Sequence, residues 1–228
     1  MSNNSVITAI SRTAIGSFQG VLSTVPTVRL GASVIKSAVE RGGLIADQVD
    51  EVIMGNALYG GGNPARLLAL AAGLPVRVSS FSVDTQCCAG LDAIALAQSR
   101  IEAGFADVIV AGGVESFSRS PIRQKRPSHP GEEPQTYLRP PFTPWPDVDP
   151  DMLESAAELA RRLQIARGRQ ESFAVESHRR ALQDAAIKSE LTVLNDLTGD
   201  EFTRALSPAL CRRLKPLAGI DPYSVTAA

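Results

Sequence analysis

Cys87 and Cys88 are the residues whose type and placement promise chemistry. They lie in the run Ser82-Val83-Asp84-Thr85-Gln86-Cys87-Cys88-Ala89-Gly90-Leu91-Asp92-Ala93, where a β-rich stretch gives way to a helical one. Amides at the start of a helix are unpaired donors with partial positive charge, so they stabilise an anion there. A thiol so placed spends more of its time as thiolate, the form that attacks carbonyl carbon. Small Ala89 and Gly90 leave room for an incoming acyl chain. Placement alone gives equal weight to a second reading, in which both cysteines are small buried hydrophobes.

Few other residues could share such chemistry. The chain has two histidines. His129, in Ser128-His129-Pro130-Gly131, falls in a proline-rich stretch where loop mobility works against a fixed base. His178 lies one turn from Ala174 and Leu182 on a predicted helix and reads as a packed or surface histidine. Cys211, beside Arg212-Arg213, reads as a buried core thiol, reactive only if exposed. The three cysteines show no CxxC spacing, which argues against a disulfide framework or a zinc site and for a reducing compartment. No metal is expected.

These side chains need a scaffold to position them. With 228 residues, 44% hydrophobic and 21% charged, the chain has material for a buried core in one or two domains. A formal charge of −1 provides no global field for nucleic acid or an anionic membrane. Residues 1–10 lack a basic region followed by a long apolar run, and no stretch approaches the length of a membrane span. The expectation is a cytoplasmic protein, with neither nucleic acid nor membrane as partner.

Residues 5–116 alternate short apolar β-rich runs with helical patterns, an α/β layout. Strands are expected at 6–10, 51–55, 80–84 and 106–111. A helix with Leu30, Val34, Ile35, Ala38 and Val39 on one face should end at Arg41, before Gly42-Gly43. Asn63-Pro64 supplies an N-cap and a first-turn proline for a helix over 65–72. A third helix over 88–103 carries Leu91, Ile94, Leu96 and Ile101 as its apolar residues. Nine of the fifteen prolines then fall between Pro121 and Pro150, with the only tryptophan, Trp145. That density predicts an extended lid-like loop without regular pairing. Two helices follow, one with Met152, Ala156, Leu159 and Leu163 on a face, the other over 169–186.

Cys87-Cys88-Ala89-Gly90-Leu91 is similar to the nucleophile motif of the thiolase family, with Cys87 matching its cysteine. Cys88 stands where the family usually has Gly, Ser, Ala or Asn, which leaves two thiols as candidates. Arg12-Thr13-Ala14-Ile15-Gly16, Gly62-Asn63-Pro64-Ala65-Arg66 and Ala111-Gly112-Gly113-Val114-Glu115-Ser116-Phe117-Ser118 resemble other segments of the family, in the same order. Met152 with Glu158 looks like its pantetheine-facing methionine and helix. Arg204, in Asp200-Glu201-Phe202-Thr203-Arg204, matches a CoA-contacting arginine across a one-residue gap. Leu214-Lys215-Pro216 and Val225-Thr226-Ala227 resemble the stretch before the family's second half. Arg119, Arg123, Lys125 and Arg126 are weaker candidates for the CoA phosphates, since exposed charges contribute little.

The resemblance implies the N-terminal half of a thiolase-like α/β fold, a βαβαβαβ-type mixed sheet with helices, plus an inserted loop domain. It places the α/β half at 1–118, the CoA-covering loop domain at 119–216 and a return segment at 217–228, with the C-terminal half absent. It further implies acyl-CoA:acetyl-CoA C-acyltransfer through an acyl-Cys87. Met152, Arg204 and Ala227 would be on CoA, with CoA thioesters as substrates and no cofactor. The family's activating histidine, second acid/base cysteine and water-positioning asparagine belong to the missing half. A homo- or hetero-oligomer with a C-terminal-half subunit is therefore implied, the subunit contact being built by the third strand and its neighbouring loop. A non-catalytic CoA-binding or scaffold remnant is the alternative. A ketoacyl synthase relative is less similar at Gly90-Leu91 and at residues 114–118.

Overall fold

The computed structural model describes residues 5–228; residues 1–4, part of the stretch read above as lacking a leader, lie outside the described residues. The chain divides into two compact units. Unit 1 is Met1–Pro121 with Lys188–Phe202, and unit 2 is Ile122–Ile187 with Thr203–Ala228. The expected single run of loop domain over 119–216 is thus interrupted, because residues 188–202 return to unit 1. Local bonds account for the return. Thr192 N–H donates to Arg12 O at 2.7 Å, Arg12 N–H to Glu190 O at 3.0 Å and Glu201 N–H to Ile15 O at 3.0 Å. The Arg12 guanidinium also grips the Asp200 carboxylate at 2.8 and 3.1 Å.

Unit 1 is built on a parallel sheet of order β2-β1-β3, comprising β1 (Glu51–Gly55), β2 (Ser79–Val83) and β3 (Ile109–Gly113). Glu51 lies opposite Ser79 and Ile109, and Gly55 opposite Val83 and Gly113. All five residues of central β1 are buried, as a strand covered on both faces must be. Its side chains alternate: Val52 and Met54 join the core of α1 (Thr27–Arg41) and α2 (Pro64–Ala71), while Ile53 packs with Ala93 and Ala97 of α3 (Ala89–Glu102). The route from β1 through α2 to β2 moves one way along the sheet, and the route through α3 to β3 moves back past β1. Right-handed crossovers in opposite directions put their helices on opposite faces, giving three layers. Asn63 caps α2 as expected, its Oδ1 accepting from Arg66 N–H at 3.3 Å.

Three expectations need correction here. Residues 6–10 form no strand, and Val6, Ile7 and Ile10 are exposed, because no described strand lies beside them to take their backbone hydrogen bonds. The buried face of α3 is Ala89, Ala93 and Ala97, whereas Leu91, Ile94 and Leu96 are exposed. Small residues are selected there because the helix lies almost on the sheet: a Cβ on Gly55 would stand 2.6 Å from Ala89 C. The bounds of β1 and the end of α1 at Arg41 are as expected, while those of β2, β3, α2 and α3 differ by one to three residues, with β3 beginning at Ile109.

Unit 2 opens with the proline-rich excursion, which does pair: β4 (Arg123–Lys125) and β5 (Gln135–Tyr137) form an antiparallel hairpin. Neither strand contains proline, so its density interrupts the flanks and leaves the ladder intact. Next come α4 (Met152–Arg162), α5 (Arg167–Gln183), α6 (Ala185–Ser189), which runs across the boundary, and α7 (Pro208–Cys211). Helix α4 buries Ala157 and Ala160 and exposes Met152, Leu159 and Leu163, the reverse of the expected face. Arg167 ties the unit together. Its side chain donates to Glu171 Oε1 at 2.6 Å and to the carbonyls of Cys211 and Leu214 at 3.1 and 2.8 Å. Among the described residues no helix is long and apolar enough to cross a membrane.

Candidate active site

In an open parallel sheet, ligand-handling residues gather beyond the carboxyl ends of the strands. Cys87 is at such an end. Strand β2 finishes at Val83, a single 3-10 turn spans Gln86–Cys88, and α3 begins at Ala89 with Cys88 as its N-cap. Both Cys87 and Cys88 are exposed. Exposure rules out the buried-hydrophobe reading for this pair, while Cys211 is fully buried, as expected.

The turn carrying the thiols is pinned from both sides. Gln86 N–H donates to Asp84 Oδ1 at 3.0 Å, and the Thr85 hydroxyl donates to the Asp92 carboxylate on the first turn of α3. Cys88 N–H donates to Thr85 O at 3.3 Å. Gln86 takes φ +57°, a left-handed conformation that costs a non-glycine residue about 1–2 kcal/mol. Such local strain persists where surrounding bonds hold it, and commonly at functional turns.

Beneath the turn the backbone elements approach closely. Besides the 2.6 Å contact with Ala89, a Cβ on Gly55 would lie 2.7 Å from Gly90 N, and one on Gly113 would lie 3.2 Å from Gly55 O. Bare glycines at the ends of β1 and β3 thus let the start of α3 sit directly over the sheet. At the same ends, Asn56 Nδ2 donates to Val114 O at 2.6 Å and to Glu115 Oε1 at 3.0 Å. Glu115 Oε2 accepts from Ala57 N–H and Leu58 N–H at 2.9 and 3.1 Å. Asn56 is buried, and its Oδ1 has no donor among the described residues. Sequence reasoning passed over Asn56. The one available signal was a polar residue directly after a strand buried on both faces. Glu115 stands in the motif at 111–118, where nothing local marks it as the acceptor of two backbone amides.

The CoA candidates belong to unit 2. Arg204 and Ala227 are brought together, the Arg204 guanidinium donating to Ala227 O at 2.9 Å. His178 joins them, since its Nδ1 accepts from Arg204 N–H at 3.3 Å. That acceptor role leaves the ring proton on Nε2 in the neutral form. Met152 is the first residue of α4, follows the N-cap Asp151 and is 59% exposed, so it is not a core residue. His129 is exposed in a turn whose amides at Ser128 and His129 donate to Glu132. Arg119, Lys125 and Arg126 are exposed and Arg123 is half-buried.

Two cavities lie elsewhere among the described residues, lined neither by Cys87 nor by Met152, Arg204 or Ala227. One of 350 Å³ in unit 2 has Arg167 and Arg212 balanced by Glu171 and Asp221. The other, of 480 Å³ in unit 1, lies against α1 with Arg29 and Lys36 at its margin. No group of three or more His, Cys, Asp or Glu among the described residues is placed to hold a metal ion.

Comparison with known proteins matches residues 5–192 to the family described as Thiolase, N-terminal domain. An acetyl-CoA acetyltransferase of Escherichia coli is 37% identical over 225 residues, covering 90% of this chain and 57% of that protein. An acetyl-CoA acetyltransferase of Pseudomonas aeruginosa is 50% identical over 118 residues, 51% of this chain and 30% of that one. The crystal structure of the Bacillus anthracis acetyl-CoA acetyltransferase superposes with a TM-score of 0.81 at 34% identity, covering 98% of this chain and 61% of the other. The chain spans about three fifths of the length of the solved relative it matches.

Proposed function

Because this chain belongs to the thiolase family and carries its N-terminal domain, we propose that it is part of an acyl-CoA:acetyl-CoA C-acyltransferase whose acyl carrier is Cys87. The observation that carries this reading is an exposed thiol on the turn that opens α3, at the carboxyl end of the parallel sheet. The Cys87 thiolate attacks the thioester carbonyl carbon. The new carbon–sulfur bond forms as the bond to the CoA sulfur breaks, and the CoA thiolate leaves and takes a proton. Amides of the first turn of α3 favour negative charge beside the reacting sulfur. Covalent capture divides one difficult carbon–carbon bond change into two easier steps.

CoA would be held by Arg204, near Ala227, and by the exposed thioether of Met152. The second step needs a base for the thiol and a proton carrier for the enolate of acetyl-CoA, and this chain's two histidines both belong to unit 2, His129 in the β4–β5 connection and His178 on α5. A second-half subunit carrying those groups is therefore part of the proposal. The test is to mix the chain with such a subunit and follow acetoacetyl-CoA thiolysis while mapping the acetylated residue by mass spectrometry. The expected result is turnover in the mixture, an acetyl group on Cys87 and loss of both in Cys87→Ala. Turnover undiminished in Cys87→Ala overturns the mechanism. CoA binding with no acetylation and no turnover in the mixture favours a non-catalytic CoA-binding protein.

A further inference from the structure

Cys88 has no part in the chemistry above, yet it too is exposed and follows Cys87 directly in the chain. We propose that the two thiols form an oxidation site for hydroperoxides, in which Cys88 resolves an oxidised Cys87 by closing a vicinal disulfide. The proposal stands on the two thiols and their turn, and holds whether or not Cys87 carries acyl groups.

The chemistry balances with hydrogen peroxide, the simplest hydroperoxide, as the two-electron oxidant. The Cys87 thiolate attacks a peroxide oxygen, a sulfur–oxygen bond forms as the oxygen–oxygen bond breaks, and hydroxide leaves and is protonated to water. The resulting sulfenic acid is then attacked by the Cys88 thiolate. A sulfur–sulfur bond forms, the sulfur–oxygen bond breaks, and the proton from Cys88 leaves with the hydroxide as a second water. A sulfenic acid with no thiol in reach proceeds to sulfinic acid, which thiols do not reverse. A neighbour on the next residue is in effect always present, and intramolecular attack of that kind outruns a bimolecular one.

The backbone decides what kind of disulfide results. Consecutive Cα atoms are about 3.8 Å apart across a trans peptide, shorter than the roughly 4.4–6.8 Å of ordinary disulfides. Side chains of a 3-10 helix project at three residues per turn, so neighbours diverge and the turn must open for the ring to close. The bonds that pin Thr85 and Gln86 can stay in place while the Cys88 amide lets go of Thr85. The 3-10 segment is a single turn of Gln86–Cys88, it holds a left-handed glutamine, and its Cys88–Thr85 bond is long at 3.3 Å. The product is a strained and therefore easily reduced disulfide, which returns to two thiols when reductant is restored.

The experiment treats the reduced full chain with hydrogen peroxide and follows the tryptic peptide 78–100, which holds Cys87 and Cys88 and not Cys211. In the wild type this peptide is expected to lose about 2 Da without joining another, and to regain them with dithiothreitol. In Cys88→Ser it is expected to add dimedone at Cys87 when that reagent is present and, in a separate sample without it, to gain about 32 Da at least about tenfold faster than in the wild type. A far-ultraviolet circular dichroism spectrum matched to the wild type checks that the variant is folded. Sulfinic acid formation at the same rate in both proteins, or disulfides only between chains, overturns the proposal. No CoA thioester enters this assay, so its outcome is separate from that of the acyl-transfer test.

Discussion

At the scale of single residues, the bonds that join distant stretches of the chain can be cut one at a time. Asp200 is an example. The Arg12 guanidinium holds its carboxyl below the usual 3.8, helped by Ile15 N–H and opposed by desolvation. A carboxylate whose folded pKa is depressed contributes stability in full above its unfolded value and loses it as pH falls through the folded one. The unfolding midpoint of the wild type should therefore hold steady at neutral pH and fall below 3.8. Asp200→Asn should cost about 2 kcal/mol at pH 7 and show a smaller acid fall, measured by thermal denaturation across pH. Asp50, held low by the amides of Val108 and Asp107, adds a parallel fall in both proteins, so the difference between the curves isolates Asp200. In unit 2, Arg204→Ala and His178→Phe are each expected to weaken acetyl-CoA binding roughly two- to fivefold, as befits exposed charge contacts. Calorimetry checks both, and an unchanged affinity in Arg204→Ala removes that residue from the CoA site.

At the scale of elements, the seating of α3 on the sheet decides where Cys87 stands. Gly55→Ala would put a methyl 2.6 Å from the backbone of Ala89. Backbone cannot swing aside as a flexible side chain does, so the helix must lift. The expected cost is about 1–3 kcal/mol in urea unfolding, with slower modification of Cys87 by iodoacetamide. Gly90→Ala tests the same helix from the other side. A Cβ there meets nothing within 4 Å, so the change should leave stability equal or raise it by about 0.5–1 kcal/mol. A lower acetylation rate in that stable variant would locate the acyl group beside residue 90. The same close seating explains why the apolar residues of α3 misled: Leu91, Ile94 and Leu96 are the hydrophobic ones by composition, but only alanine fits between helix and sheet.

At the scale of the whole chain, a small well-packed core coexists with much exposed apolar surface. Leu68 is almost fully buried between α1 and β1, and Leu68→Ala should cost about 3 kcal/mol in urea unfolding. Elsewhere Val6, Ile7, Ile10, Leu91, Phe117, Ile122, Leu138 and Leu163 are more than half exposed. A second-half subunit, as proposed above, would cover some of these side chains. The chain alone is therefore expected to enhance the fluorescence of anilinonaphthalene sulfonate and to self-associate, and a second-half subunit should suppress both. Undiminished dye binding in the mixture counts against that partner.

Local signals in the sequence were enough for β1, for α1 before Gly42-Gly43, for the Asn63-Pro64 start of α2 and for the thiol between a strand and a helix, since each depends on near neighbours in the chain. The family likeness likewise came from short ordered motifs. Whether a hydrophobic residue is buried depends instead on what lies across from it, and that is a property of packing. Only the tertiary structure could therefore put alanines under α3 and α4, leave residues 6–10 without a strand neighbour, return residues 188–202 to unit 1 through Arg12 and Asp200, and bring His178 to Arg204. Those contacts join residues far apart in sequence, and no local periodicity encodes them.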